Sequence, residues 1–316
     1  MVPGLEVAEL RLNLRSETDI RLPRYAGSTL RGAFGVAFKQ LVCVNPTRVC
    51  EGCAVRAQCP YIYVFETPPT VDQGIFRQYP AVPHPFVMTP PGDGQSEPRY
   101  NPGDALAFGL TLIGRGLLYL PYFLYTFDQL GQQGIGAGRG RYVLTGASAA
   151  DAGGQWHPVY DGQTKQLVAD YPRIRSALDE PAGPVERVQL NFVTPARLIE
   201  RDDLVTDLSF RALFGALLRR VSALCQFHGD GPLEVDFKGL TERAAAVQTV
   251  ASDVTWYDWE RYSNRQKRAM KLGGLIGSVA YEGALDEFMP YLRLGERVHV
   301  GKGTSFGLGK YEMRDG

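Results

Sequence analysis

Two groups of side chains in this 316-residue sequence have the types and spacing for chemistry. The first is a set of four cysteines in one window, Cys43, Cys50, Cys53 and Cys59, spaced C-x6-C-x2-C-x5-C. Four thiolates can close a tetrahedral zinc site or ligate an iron–sulfur cluster, and a C-x-x-C pair is the usual local clamp. Zinc is the first expectation and a cluster the alternative. A four-thiolate site leaves no open position for a catalytic water, so its expected task is stability and no catalytic metal is expected. In a chain without a secretory signal, two disulfides fit less well. The fifth cysteine, Cys225, falls on an apolar helical stripe and reads as core.

The second group gathers cations and histidines around glycines. In HVGKGTSFGLGKY, residues 299–311, the glycines let backbone N–H groups approach a phosphate, while Lys302, Thr304, Ser305 and Lys310 add charge and hydroxyls. Arg139 and Arg141 stand in a similar run, GIGAGRGRY (134–142). Lys267, Arg268 and Lys271 lie in RYSNRQKRAMKLGG beside Tyr262, which can stack on a base. His299, at the threshold of the last loop, reads either as an acid or base for a bound phosphate or as a ring pairing with a carbonyl. His228 reads either as a catalyst or as a helix-terminal residue whose charge complements the dipole. His84, between Pro83 and Pro85, reads as a rigid loop residue, and His157 as part of a hairpin. Lys302 is followed by Gly303, so no Walker A pattern is present.

The length allows two domains, and 44% apolar with 22% charged residues describes a globular chain. No apolar run approaches the ~20 residues that span a bilayer, and the N-terminus does not read as a signal peptide, so the cytoplasm is the expected compartment. Net charge is zero, which excludes a uniformly basic nucleic-acid binder and leaves open whether the cations form a basic face or ordinary solvated surface.

The elements that must position these residues recur. Residues 28–43 (STLRGAFGVAFKQLVC) and 209–225 (SFRALFGALLRRVSALC) carry apolar residues at helical spacing, share R-x-x-F-G, and each follows a short alternating strand. Ser28 or Thr29 is the expected N-cap of the first. Further on, Leu112-Ile113-Gly114 pairs with Leu275-Ile276-Gly277, Leu130-Gly131 with Leu294-Gly295, and Gly140-Arg141-Tyr142 with Gly309-Lys310-Tyr311. Each half therefore reads as β-α-β-β-α-β, an α+β fold of two tandem ferredoxin-like domains. The expected boundaries are 1–150, with the cysteine knuckle inserted, and 187–316, with the glycine-rich loop. Residues 151–186 form a linker containing a hairpin around Asp161-Gly162.

The pieces STLRGAFG (28–35), C-x-x-C followed by CPYIYVFE (59–66), PHPFV (83–87), LGQQGIGAGR (130–139), TPARL (194–198) and TSFGLGKY (304–311) occur in an order that resembles the CRISPR RAMP superfamily. The resemblance covers nearly the whole chain and is greatest to the precursor-crRNA-processing endoribonucleases. It implies metal-independent cleavage of repeat RNA, with the ribose 2′-OH attacking phosphorus to leave a cyclic phosphate and a 5′-hydroxyl. It also implies crRNA as a partner, with other effector subunits as a further option, and no membrane. In many relatives a catalytic histidine lies in or just after the first helix; here residues 23–49 hold none. The catalytic candidates are then His299 and His228, with Lys302 as a charge for the phosphorane. A non-catalytic RAMP subunit that holds the crRNA end is the rival reading, and a zinc-stabilised interaction module without RNA is the third.

Overall fold

In the computed structural model, residues 4–68, 82–92, 96–176, 178, 183–200, 203–258, 260–263, 268–271 and 273–315 are described. The chain divides into two compact units, Glu6–Ile174 and Arg175–Gly316 together with Met1–Leu5. Both follow the order strand, helix, strand, strand, helix, strand.

The first unit starts with β1 (Glu6–Ser16), in which Leu10, Leu12 and Leu14 alternate inward. That period of two makes β1 a central strand. It continues through α1 (Gly27–Val42), the short α2 (Pro60–Phe65), β2 (Phe86–Thr89), β3 (Ala105–Ile113), α3 (Leu120–Gln133) and β4 (Tyr142–Ala150). A hairpin of β5 (Trp156–Asp161) and β6 (Gln166–Leu167) is added beside β4. The antiparallel sheet runs β2-β3-β1-β4-β5-β6, with Leu10 opposite Leu110 on one side and Ala149 on the other. Helices α1 and α3 pack through Phe34, stacked on Phe123 at 4.6 Å and on Phe127 at 4.8 Å. The hairpin turns where Asp161 Oδ1 accepts from the N–H groups of Gln163 and Thr164, both at 2.8 Å.

The second unit repeats the plan. It comprises β7 (Arg187–Ala196), α4 (Phe210–His228), α5 (Phe237–Ala244), β8 (Gln248–Tyr257), a small hairpin of β9 (Glu260–Ser263) and β10 (Arg268–Lys271), β11 (Gly274–Glu282), α6 (Met289–Val298) and β12 (Tyr311–Asp315). Its main sheet order, β8-β11-β7-β12, is the order β2-β3-β1-β4 of the first unit. Phe214 takes the place of Phe34, packing edge-on to Phe288 at 4.6 Å and Tyr291 at 5.5 Å.

One pair of contacts explains two repeated sequence landmarks at once. Tyr142 Oη donates to Phe127 O (2.8 Å), and Tyr311 Oη donates to Leu292 O (2.6 Å). A Cβ on Gly131 would meet Tyr142, and one on Gly295 would meet Tyr311. The glycine of each Leu-Gly thus makes room for the tyrosine of each final strand.

Two expectations are corrected. Helix α1 begins at Gly27 with Ala26 as N-cap and no side-chain cap bond, whereas Ser209 caps α4 by accepting from Ala212 N–H at 3.3 Å. Leu112-Ile113 closes β3 while Leu275-Ile276 lies at the start of β11, so these two triplets are not equivalent. A period-two pattern fixes which face a residue takes, not how far along the strand it lies.

Candidate nucleic-acid interface

The glycine loops occupy matching places. Helix α3 ends at Gly134 (φ 79°), whose N–H reaches Leu130 O at 2.8 Å; α6 ends at His299 (φ 61°), whose N–H reaches Gly295 O at 2.8 Å. Each loop then folds against the segment following its own unit's first strand. Ala137 N–H donates to Arg21 O (3.0 Å), and Lys302 N–H to Arg197 O (2.9 Å). Gly309 N–H reaches Pro195 O and Val300 N–H reaches Gly309 O, both at 3.0 Å. Phe306, Gly307 and Leu308 N–H groups bond within the loop, and Thr194 Oγ1 donates to Gly307 O at 2.8 Å.

These amides are spent on the protein's own carbonyls, so the loop is less an N–H cradle than the glycine count implies. Glycine is needed instead for close approach: at Gly309 (φ 72°) a Cβ would meet Val300 O, and at Gly136 (φ 72°) it would meet Arg21 O. What the loops expose are the side chains of Arg139, Arg141 and Lys302, with Lys310 half-buried. Thr304 and Ser305 are each only 7% exposed. Lys267 lies outside the described residues; Arg268 and Lys271 fall on β10.

The histidines separate by burial. His228 is fully buried, and His299 is 2% exposed with Nδ1 against Leu308 O at 3.2 Å. Burial, with Lys310 and Arg220 nearby, pushes the His299 ring down to about 3. Rings so enclosed are poorly placed to exchange protons with a surface-bound phosphate, which is a correction to the catalytic expectation for both. Arg220 is also committed: its Nε donates to Val298 O and His299 O (2.9 Å each), and it holds the C-terminus of α6. His157 pairs with Asp151 at 2.7 Å.

His84 differs from the other three. It is half-buried, and its ring stacks on Phe86 (5.6 Å, 7°) and meets Phe65 edge-on at 6.1 Å. Its Nε2 faces Arg31 Nη2 of α1 at 3.1 Å, and the Arg31 guanidinium lies 5.1 Å over the Phe65 ring. Two turns along α1, Lys39 Nζ sits 4.9 Å over the ring of Tyr61 from α2. No histidine or cation spacing in the sequence brought this group together. The visible signals were the prolines fixing His84 and the four-residue steps Arg31, Gly35, Lys39 on one helix face.

The four cysteines are free thiols that line one cavity of about 220 Å³, with Lys39, Arg56 and Tyr61 among its other walls. They come from the end of α1, a turn in which Cys53 N–H reaches Cys50 O at 3.4 Å, and the N-cap of α2. A tetrathiolate zinc needs sulfurs about 3.8 Å apart, given Zn–S bonds of about 2.3 Å. Among the described residues, no three or more His, Cys, Asp or Glu side chains form a group able to hold a metal. The donor types suit zinc, but their placement does not, so neither the zinc nor the iron–sulfur expectation is supported.

Residues 5–172 match the family model AF_1859_N, N-terminal domain, and residues 190–311 match the model of the CRISPR-associated endoribonuclease Cas6. The Cas6 match covers less than half of the chain and falls within the second unit. A sequence search among curated proteins returns no match. Among solved structures, a Cas6 (TTHB231) product complex superposes with TM-score 0.59 at 16% identity, covering 98% of this chain and 100% of that one. Thermus thermophilus Cas6 (TTHB231) gives TM-score 0.54 at 16% identity over 98% and 99% of the two chains. A partial Cas6-RT-Cas1–Cas2 complex matches with TM-score 0.59 at 13% identity, over 99% of this chain and 46% of that one. At such identities the likeness is one of fold. The Cas6 match agrees with the resemblance to the precursor-crRNA-processing endoribonucleases. Among the described residues, no helix is long and apolar enough to cross a membrane.

Proposed function

We propose that this chain is a Cas6-type endoribonuclease that cleaves CRISPR repeat RNA without a catalytic metal, by attack of a ribose 2′-OH on the adjacent phosphorus. The products are a cyclic phosphate and a 5′-hydroxyl. The observation that carries the reading is that two family models, one of them Cas6, together span most of the chain, from residue 5 to residue 311. The two β-α-β-β-α-β units are read as tandem ferredoxin-like domains, supported by their shared strand order.

Such a cleavage needs a base near the 2′-OH, a proton for the 5′-oxygen, and positive charge on the phosphorane. Holding the backbone in line supplies much of the rate. Arg139, Arg141, Lys302 and Lys310 are proposed as phosphate contacts, with Lys267, Arg268 and Lys271 adding to them; Thr304 and Ser305 shape the loop. No step is routed through the cysteine cavity.

The rival reading, a subunit that binds crRNA without cutting it, draws on one observation: α1 contains no histidine. Incubating the protein with its own repeat RNA in EDTA decides between them. The expected result is cleavage with a cyclic-phosphate 3′ end and a 5′-hydroxyl. Tight binding of RNA that stays intact would establish the rival.

A further inference from the structure

We infer that the catalytic pair of this enzyme is Arg31 and His84, with Arg31 holding the scissile phosphate and His84 taking the 2′-OH proton. The inference rests on the cleavage reading above and names the residues that perform it.

Of the four histidines in the sequence, two are buried in the second unit and His157 is engaged by a carboxylate that would repel an incoming phosphate. His84 instead faces a cation, the Arg31 guanidinium. An arginine can only donate, so at 3.1 Å Nε2 of His84 carries the lone pair and Nδ1 carries the proton. The ring is held in that pose by Pro83 and Pro85 in the chain and by the faces and edges of Phe86 and Phe65. A base held in one tautomer and aimed at a guanidinium is aimed at the place where a phosphate would bind.

The same helix face extends the site. Gly35 lies one turn after Arg31, and a Cβ there would stand 3.3 Å from the Phe65 ring, so the glycine lets that ring pack against the helix between Arg31 and Lys39. Lys39 follows about 12 Å along the axis from Arg31, beside a tyrosine on which a base can stack. Two cations, each beside an aromatic ring, suit a short single-stranded segment. Glu66, the C-cap of α2, is an acidic group close enough to act on Tyr61.

In the step proposed, a phosphate oxygen draws the Arg31 guanidinium to itself, because an anionic acceptor outcompetes a neutral imidazole nitrogen. The freed Nε2 accepts the 2′-OH proton as the 2′-oxygen–phosphorus bond forms. The bond from phosphorus to the 5′-oxygen breaks, that oxygen takes a proton from water, and His84 returns its proton to solvent.

The test is single-turnover cleavage of the repeat RNA by wild type, His84→Ala and Arg31→Ala, with RNA affinity and thermal midpoint measured for each. A positioned base contributes typically 10²–10⁴-fold, so His84→Ala is expected to lose at least about 100-fold in rate. Its affinity should stay within a few-fold of wild type, and added imidazole should restore part of the rate. Arg31→Ala is expected to lose both rate and affinity. Should His84→Ala fail to fold, His84→Asn takes its place under the same criterion. Cleavage by the folded His84 variant within threefold of wild type overturns the pair while leaving the cleavage reading intact. Failure of the wild type to cut overturns both.

Discussion

At His299, the burial that closes the last loop also decides the charge of the ring. Its folded value near 3 lies below the ordinary 6.5, so the unfolded chain takes up a proton as pH falls through 6.5 while the folded chain does not. The contribution is complete above 6.5 and is lost toward 3, at about 1.4 kcal/mol per pH unit. Asparagine carries no group that titrates in this pH range. His299→Asn should therefore remove up to about 2 kcal/mol of the stability difference between pH 7 and pH 5. Urea unfolding of both proteins at the two pH values measures it, and equal differences would show that the ring is not held neutral.

Among the elements, α1 and α4 were readable because a core-facing helix repeats its apolar residues every three to four positions, and both carry a phenylalanine at the centre of an aromatic cluster. Helices α3 and α6 carry Leu-Gly in their last turn for a steric reason that appears only when the final strand is in place. Gly295→Ala would put a Cβ against Tyr311 and Leu217, and overpacking of that kind costs about 1–3 kcal/mol. Gly32→Ala on α1, where nothing lies within 4 Å of the added carbon, should instead stabilise by about 0.5–1 kcal/mol. Thermal unfolding of the two variants checks the contrast; a Gly295→Ala protein as stable as wild type would remove the tyrosine-clearance account. The start of α1 was misplaced because a side chain able to cap does so only if the backbone turns at that residue, and here the turn is at Ala26.

For the whole molecule, zero net charge does not prevent binding to a polyanion, because cations on a few exposed loops act locally within a Debye length of about 8–10 Å. If Arg139 and Arg141 contact RNA phosphates, replacing both with alanine should lower the slope of log affinity against log salt by about 1–2, with weakening across RNA sequences. Filter binding across a salt series tests this; an unchanged slope would remove the first glycine loop from the interface.

Period and order in the chain were enough to specify the duplicated β-α-β-β-α-β plan, the α1 and α4 stripes and the recurrence of Leu-Gly and of the final tyrosine in each half, since these depend on near neighbours and on repetition. Only the tertiary structure decided which polar groups are available. It buried His299 and His228, turned Arg220 into a helix cap, used the loop amides internally and set the cysteines around a cavity without a metal-ligating cluster. It also brought His84 to Arg31 across 53 positions of chain. Burial and pairing depend on contacts between residues far apart in sequence, and no local spacing encodes them.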